Sequence, residues 1–240
     1  MSVDAGAFKA WLADLTGGES VSAACRQADL RRATLTQQLI RGRVPETTVV
    51  ALARAYGQEP LVALNAFAGY HDLLSRLAVP SDTEVLSQVA YRDVLRELLR
   101  RSNSEKPPPM REDELEPAPF SGSVRAWIDA IDPGRLRQRL ADDLRMAPSN
   151  LSTQITSGTL PPLNAVHAAR LAETSLASAL VVIGLITPVE GGWEADARAS
   201  VLLQCTDETL VAASITALEG LQRSLARYRK TEATDEYLGW

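Results

Sequence analysis

Residues 24–45 read Ala-Cys-Arg-Gln-Ala-Asp-Leu-Arg-Arg-Ala-Thr-Leu-Thr-Gln-Gln-Leu-Ile-Arg-Gly-Arg-Val-Pro, and residues 140–161 read Leu-Ala-Asp-Asp-Leu-Arg-Met-Ala-Pro-Ser-Asn-Leu-Ser-Thr-Gln-Ile-Thr-Ser-Gly-Thr-Leu-Pro. Each runs from a short helical pattern through a tight break into a second apolar period of helical spacing, and closes on Gly-x-x-Pro. The stretches lie in register at an offset of 116 residues. Extending outward without a gap, residues 8–70 match 124–186 with 12 identities, among them Trp11/Trp127, Gly18/Gly134, Leu35/Leu151, Gln38/Gln154, Gly42/Gly158, Pro45/Pro161 and Arg54/Arg170. A rare tryptophan and the punctuating glycines and prolines recurring together mark a duplication.

Apolar residues in both copies recur at three- and four-residue steps with no sustained alternation, so the chain is expected to be all-α. Helices are expected near 7–16, 20–28, 32–41, 46–56 and 59–69 in copy one and near 123–131, 135–144, 148–157, 162–172 and 175–185 in copy two. Pro148 suits a first helical position. Ser81-Asp82-Thr83-Glu84 and Thr206-Asp207-Glu208-Thr209 read as N-caps with acidic first turns, each introducing a trailing helix. Between the copies, residues 102–122 hold 5 of the 13 prolines and few apolar side chains. That composition reads as a linker, with a coil span of roughly 25 Å and an extended limit near 70 Å. The expected organisation is residues 1–101 as one domain with its trailing helix, 102–122 as linker, 123–230 as the second domain with an amphipathic trailing helix, and 231–240 as a mobile tail carrying Tyr237 and Trp240.

Length and composition bound what such a chain does. With 240 residues, 45% hydrophobic and 23% charged, it can bury a core, and disordered or collagen-like classes are excluded. The Ala177–Ile186 apolar run is about half the length of a membrane span, and the first 15 residues lack a signal peptide's pattern, so a soluble, cytoplasmic protein without a membrane partner is expected. Cys25 and Cys205 lie 180 positions apart and only His71 and His167 are available, which leaves disulfide, metal and cofactor chemistry unsupported. No phosphate loop, nucleophile–base set, paired-carboxylate cleft or small-molecule site is legible, and the chain is not expected to be an enzyme.

The net charge of −5 opposes nucleic-acid binding only until it is divided along the chain. Residues 1–101 carry +1, 102–122 carry −3, 123–188 carry +1 and 189–240 carry −4. Within copy one, Arg26, Arg31, Arg32, Arg41 and Arg43 face only Asp29 between positions 20 and 43, a local basic patch.

The two quoted stretches, with Val49-Val50-Ala51-Leu52-Ala53-Arg54-Ala55-Tyr56-Gly57 after the first, resemble helix-turn-helix domains of the Cro/CI-type (Xre-like) transcriptional regulators. The Arg-rich style, 22 Arg to 3 Lys, is similar to that of actinobacterial prophage repressors. The resemblance covers about 125 residues and implies two tandem lambda-repressor-like units, double-stranded DNA as partner, and repression of the kind used in phage immunity. Two departures are shared by the copies: Leu35–Gly42 and Leu151–Gly158 span seven steps where the family has six, and Asp29 and Arg145 stand where its turn glycine stands.

In that family the second helix of the pair enters the major groove. With Leu35 and Leu39, or Leu151 and Ile155, turned to the core, the outward residues are Arg32, Ala33, Thr34, Gln37 and Arg41 in copy one and Pro148, Ser149, Asn150 and Thr153 in copy two. Arg31 and Arg43 flank the first set. Gln38 and Gln154, identical in the repeat, lie at the buried flank, where a structural role outweighs base contact. Arg suits guanine O6/N7, Gln and Asn suit adenine, the Thr methyl suits thymine, and hydroxyls suit phosphate. Half-sites one helical turn apart, about 34 Å, lie within the linker's reach, making the duplication a covalent substitute for dimerisation.

Trp11 and Trp127 read as core anchors and Cys25 as a packing residue. Residues 206–230, with Val211, Ile215, Leu218, Leu221, Leu225 and Tyr228 at helical steps, read either as a helix packed on the second copy or as the seam of a homodimer. The alternative function is a helical protein-interaction, antitoxin-like adaptor in which one or both units no longer bind DNA.

Overall fold

A computed structural model describes residues 2–75, 78–103 and 108–238. The chain is mostly helical. In order it forms strand β1 (Val3–Asp4), helices α1 (Ala5–Thr16), α2 (Val21–Gln27) and α3 (Arg32–Ile40), strand β2 (Arg43–Val44), and helices α4 (Glu46–Ala55), α5 (Pro60–Asn65), α6 (Asp82–Leu86) and α7 (Tyr91–Asn103). A 3₁₀ turn at Glu112–Glu114 precedes α8 (Ser123–Ala130), α9 (Leu136–Asp143), α10 (Pro148–Ser157), α11 (Pro162–Ala172), α12 (Leu176–Val182), α13 (Ala197–Gln204) and α14 (Asp207–Leu238). No single helix among the described residues is long and apolar enough to cross a membrane.

The ten helices expected within the two copies are present. Their starts follow local chemistry: Asp4 accepts from the Gly6 and Ala7 amides, Ser20 from Ala23 and Ser175 from Ser178, each satisfying donors that a first turn leaves without partners. Ser81 and Glu84 form a reciprocal capping box at α6. The mostly helical chain agrees with the all-α expectation, with one small ladder besides. Val3 pairs with Val44 and Asp4 with Arg43 in a two-residue antiparallel ladder, too short to register as a periodicity.

The division of the chain also differs from the expected one. Its two compact units are Met1–Gln88 with Ala118–Ala195, and Val89–Pro117 with Asp196–Trp240. Both copies therefore belong to the first unit instead of forming separate domains on a linker. Copy one closes over Phe8, Trp11, Leu35, Val49, Leu52 and Leu64; copy two over Trp127, Ile128, Leu140, Leu151, Ile155 and Leu180, all buried. Trp11 lies 5.6 Å from the Phe8 ring and 5.7 Å from Phe67. Trp127 is fully enclosed, and its indole Nε1 donates to Glu84 Oε1 of α6 at 3.3 Å. Trp193, in a segment that carried no expectation, is buried and donates to Ser178 Oγ at 3.1 Å.

The second unit brings α7, the 3₁₀ turn, α13 and α14 together. Here the trailing helices depart from expectation: α7 packs along α14, not each on its own copy. Asp93 and Glu97 on α7 are buried carboxylates held by arginines. Arg101 donates from Nε to Glu97 Oε1 (2.7 Å), from Nη1 to Cys205 O and Asp207 Oδ1 (both 2.8 Å), and from Nη2 to Leu202 O (2.6 Å). It thus joins α7 to the carbonyls ending α13 and to the first turn of α14. The expected linker is docked where it is described. Glu112 accepts from Arg198 Nε at 2.6 Å and from the Ala199 amide at 3.0 Å, the Glu116 amide donates to Asp93 Oδ2 at 2.8 Å, and Leu115 is buried. Val211, Ile215, Leu218, Leu221 and Leu225 stay 39–53% exposed on α14. Trp240 lies outside the described residues, and Tyr237 falls at the end of α14, within the tail expected to be mobile.

Candidate nucleic-acid interface

The α2–α3 and α9–α10 pairs are built alike. In the turn between each pair, Asp29 (φ 51°) and Arg145 (φ 49°) adopt the left-handed conformation that glycine favours. The chain holds them there with equivalent bonds, Leu30 N to Cys25 O at 2.8 Å and Met146 N to Ala141 O at 2.9 Å. Neither turn position is a glycine, but the backbone shape that glycine favours is present in both. Cys25 is buried beneath this turn, and its burial raises the thiol pKa.

Leu35 fixes α3, and Leu151 with Ile155 fixes α10, each almost completely buried. Leu39 is only half-buried, a correction to the core role expected for it. On the opposite face of copy one, Arg31, Arg32, Ala33, Thr34, Gln37, Arg41 and Arg43 are all exposed. An open concavity of about 590 Å³ gathers Ala33, Thr34, Gln37, Gln38, Arg41 and Arg43 with Ser2 and Pro45. The β1–β2 ladder sets Ser2 there, by fastening the N-terminus to the exit from α3. Arg31 and Arg32 lie outside the lining and flank the start of α3, which has no side-chain cap: Thr34 N donates to Arg31 O at 2.9 Å, and the Arg32 and Ala33 N–H groups are left for an outside acceptor.

Gln38 is half-buried and accepts from Thr48 Oγ1 at 3.2 Å, so its carbonyl is engaged inside the copy. Gln154 is half-buried with its Oε1 enclosed. In copy two, Pro148, Ser149, Asn150 and Thr153 are exposed along α10, but the face is chemically different. Thr153 donates its hydroxyl to Ser149 O at 2.9 Å, and no Lys or Arg occurs between Met146 and Ala169. A cationic concave face belongs to α3, and a neutral polar one to α10.

Two features went unread in the sequence. Ser2 joins the concavity through a ladder of two residues, which has no sequence signature. Ile40, 72% exposed, shares the α3 face with Gln37 and Arg41, and its spacing from Ala33 and Gln37 would have shown it. His71 is exposed, and His167 Nε2 lies 3.0 Å from Asp143 Oδ2 on the surface.

Comparison with known protein families, with characterised proteins and with solved structures found no match to this chain.

Proposed function

We propose that the chain is a sequence-specific double-stranded DNA-binding transcriptional regulator, a repressor acting by occupancy, whose two helix-turn-helix units read two half-sites. The observation that carries this is the exposed α3 face. Four arginines surround Thr34 and Gln37 on and beside a concave surface of a protein whose overall charge is −5. A net-acidic protein is repelled by a polyanion at long range, so a cation cluster on one short helix and its flanks concentrates the attraction where base edges can be reached. Gln37 and Thr34 then supply the readout that phosphate contacts lack. The uncapped helix start adds free amides that suit a phosphate oxygen.

Copy two, under this reading, contributes neutral contacts from Ser149 and Asn150, with little dependence on salt. Pairing of two chains through the exposed apolar flank of α14 belongs to the same proposal, and sedimentation equilibrium of the DNA-free protein tests it.

The deciding experiment selects bound sequences from a pool of random duplexes with the purified chain, then measures the winner by fluorescence anisotropy across a salt series. The reading predicts an enriched two-part motif whose log affinity falls linearly with log salt, and a loss of at least tenfold in Arg32→Ala/Gln37→Ala. Absence of enrichment, with only weak low-salt binding, would overturn it in favour of the protein-interaction adaptor.

A further inference from the structure

Arg54 and Arg170 are the same residue of the repeat, and each reaches out of its own copy. Arg54, near the end of α4, donates from Nε and Nη2 to Glu190 Oε1 and Oε2 at 2.7 and 2.6 Å, in the segment after α12 of copy two. Arg170, near the end of α11, donates from Nε and Nη2 to Asp72 Oδ2 and Oδ1 at 2.8 and 2.6 Å, in the segment after α5 of copy one. On the offset of 116, Glu190 falls at the place of Leu74, two positions from Asp72. The bridges are therefore reciprocal: the same helix of each copy meets the same following segment of the other. Contacts that return in this way mark association about a two-fold axis, whereas head-to-tail stacking joins two different faces and has no return pair. The approach is close. A Cβ on Gly69 would stand 2.8 Å from Leu163 Cδ1, in the first turn of α11.

We infer that the two copies form a covalent pseudo-two-fold dimer. Resting on the DNA-binding reading above, the two half-sites of its operator therefore run in opposite orientations while differing in sequence. Reading helices related by a two-fold axis fit one duplex when that axis coincides with a dyad of the DNA, so each meets its half-site in the opposite sense. The difference in sequence follows from the side chains: Arg32, Ala33, Thr34, Gln37, Arg41 and Arg43 stand where copy two has Pro148, Ser149, Asn150, Thr153, Ser157 and Thr159.

Making the copies read alike exposes the orientation. In the full chain, Pro148→Arg, Ser149→Ala, Asn150→Thr, Thr153→Gln, Ser157→Arg and Thr159→Arg together give α10 the outward residues of α3. Selection from random duplexes should then return an inverted repeat of one half-site, while a direct repeat, or a single half-site, overturns the inference. The unaltered chain is selected in parallel: failure to enrich any motif there sinks the DNA-binding reading itself, so the two failures are distinguishable. If the grafted chain alone enriches nothing, an iron chelate tethered at Arg43→Cys, and separately at Thr159→Cys, decides on the native operator. Cleavage from the two positions on opposite strands supports the two-fold arrangement, and cleavage on the same strand overturns it. Charge reversal checks the bridge: Arg54→Glu should weaken binding to the two-part site about tenfold while leaving an isolated half-site unchanged, and Arg54→Glu/Glu190→Arg should restore it. Equal loss on both DNAs would overturn the role assigned to the bridge.

Discussion

Arg145 shows how a single residue can carry a fold's requirement against its own preference. Its φ of 49° puts a side chain into the left-handed region, at a cost of about 1 kcal/mol relative to glycine, and Asp29 accepts the same conformation in copy one. Arg145→Gly should therefore raise stability by about 0.5–1 kcal/mol, read from thermal unfolding, since strain relief exceeds the added unfolded-state entropy. Tyr70 is constrained differently. It is buried and donates to the buried Glu46 carboxylate at 2.8 Å, and burial followed by that negative charge drives its phenol pKa far upward. Tyr70→Phe leaves the carboxylate without this donor and should cost about 1–3 kcal/mol in urea unfolding.

At the scale of elements, α3 and α10 share a backbone and differ in what they offer. Arg41 and Arg43 line the α3 concavity, so under the proposed function Arg41→Ala and Arg43→Ala should each make the slope of log affinity against log salt shallower by about 1. Equivalent changes at Ser157 and Thr159 should leave the slope where it is. The α7–α14 pairing depends on Arg101, which holds a buried carboxylate and the carbonyls ending α13 together. Arg101→Ala should cost about 1–3 kcal/mol, measured as a lower urea midpoint with the salt slope for DNA unchanged.

For the molecule as a whole, the junction between the copies makes stability depend on acid. The Arg54 guanidinium, donating to Glu190, holds that carboxyl down to about 2 from an ordinary 4.5, and Arg170 lowers Asp72 in the same way. Carboxylates depressed in the folded state stabilise fully above their unfolded pKa, and that contribution disappears as pH falls through the folded value. Thermal stability should accordingly drop between about pH 4.5 and pH 2. In Arg54→Ala/Arg170→Ala part of that drop should vanish, because the largest cause holding each carboxyl down is removed, while the Thr187 amide still donates to Glu190 at 2.7 Å. Both arginines keep some solvent exposure, so the effect should shrink in high salt.

The repeat, the ten helices within it and the outward set of α3 were legible because they rest on short-range causes. Apolar spacing, caps, prolines and the Leu35 and Leu151 anchors act within a few residues and leave their pattern in the chain. Which elements meet across the molecule left no such pattern. Residues 102–122 have a linker's composition, yet Leu115, Glu112 and Glu116 dock because Arg198 and Asp93, distant in sequence, complete their bonds. The trailing helices were expected on their own copies, or the second at a homodimer seam, and α7 packs along α14 instead, with Arg101 bonded to Asp207 in its first turn. Local pattern alone is enough for two alike helical copies, one of them with a basic outward face. That they share one compact unit joined by Arg54 and Arg170 emerges in three dimensions alone, because ion pairs between residues 136 and 98 positions apart are set by spatial fit and not by local spacing.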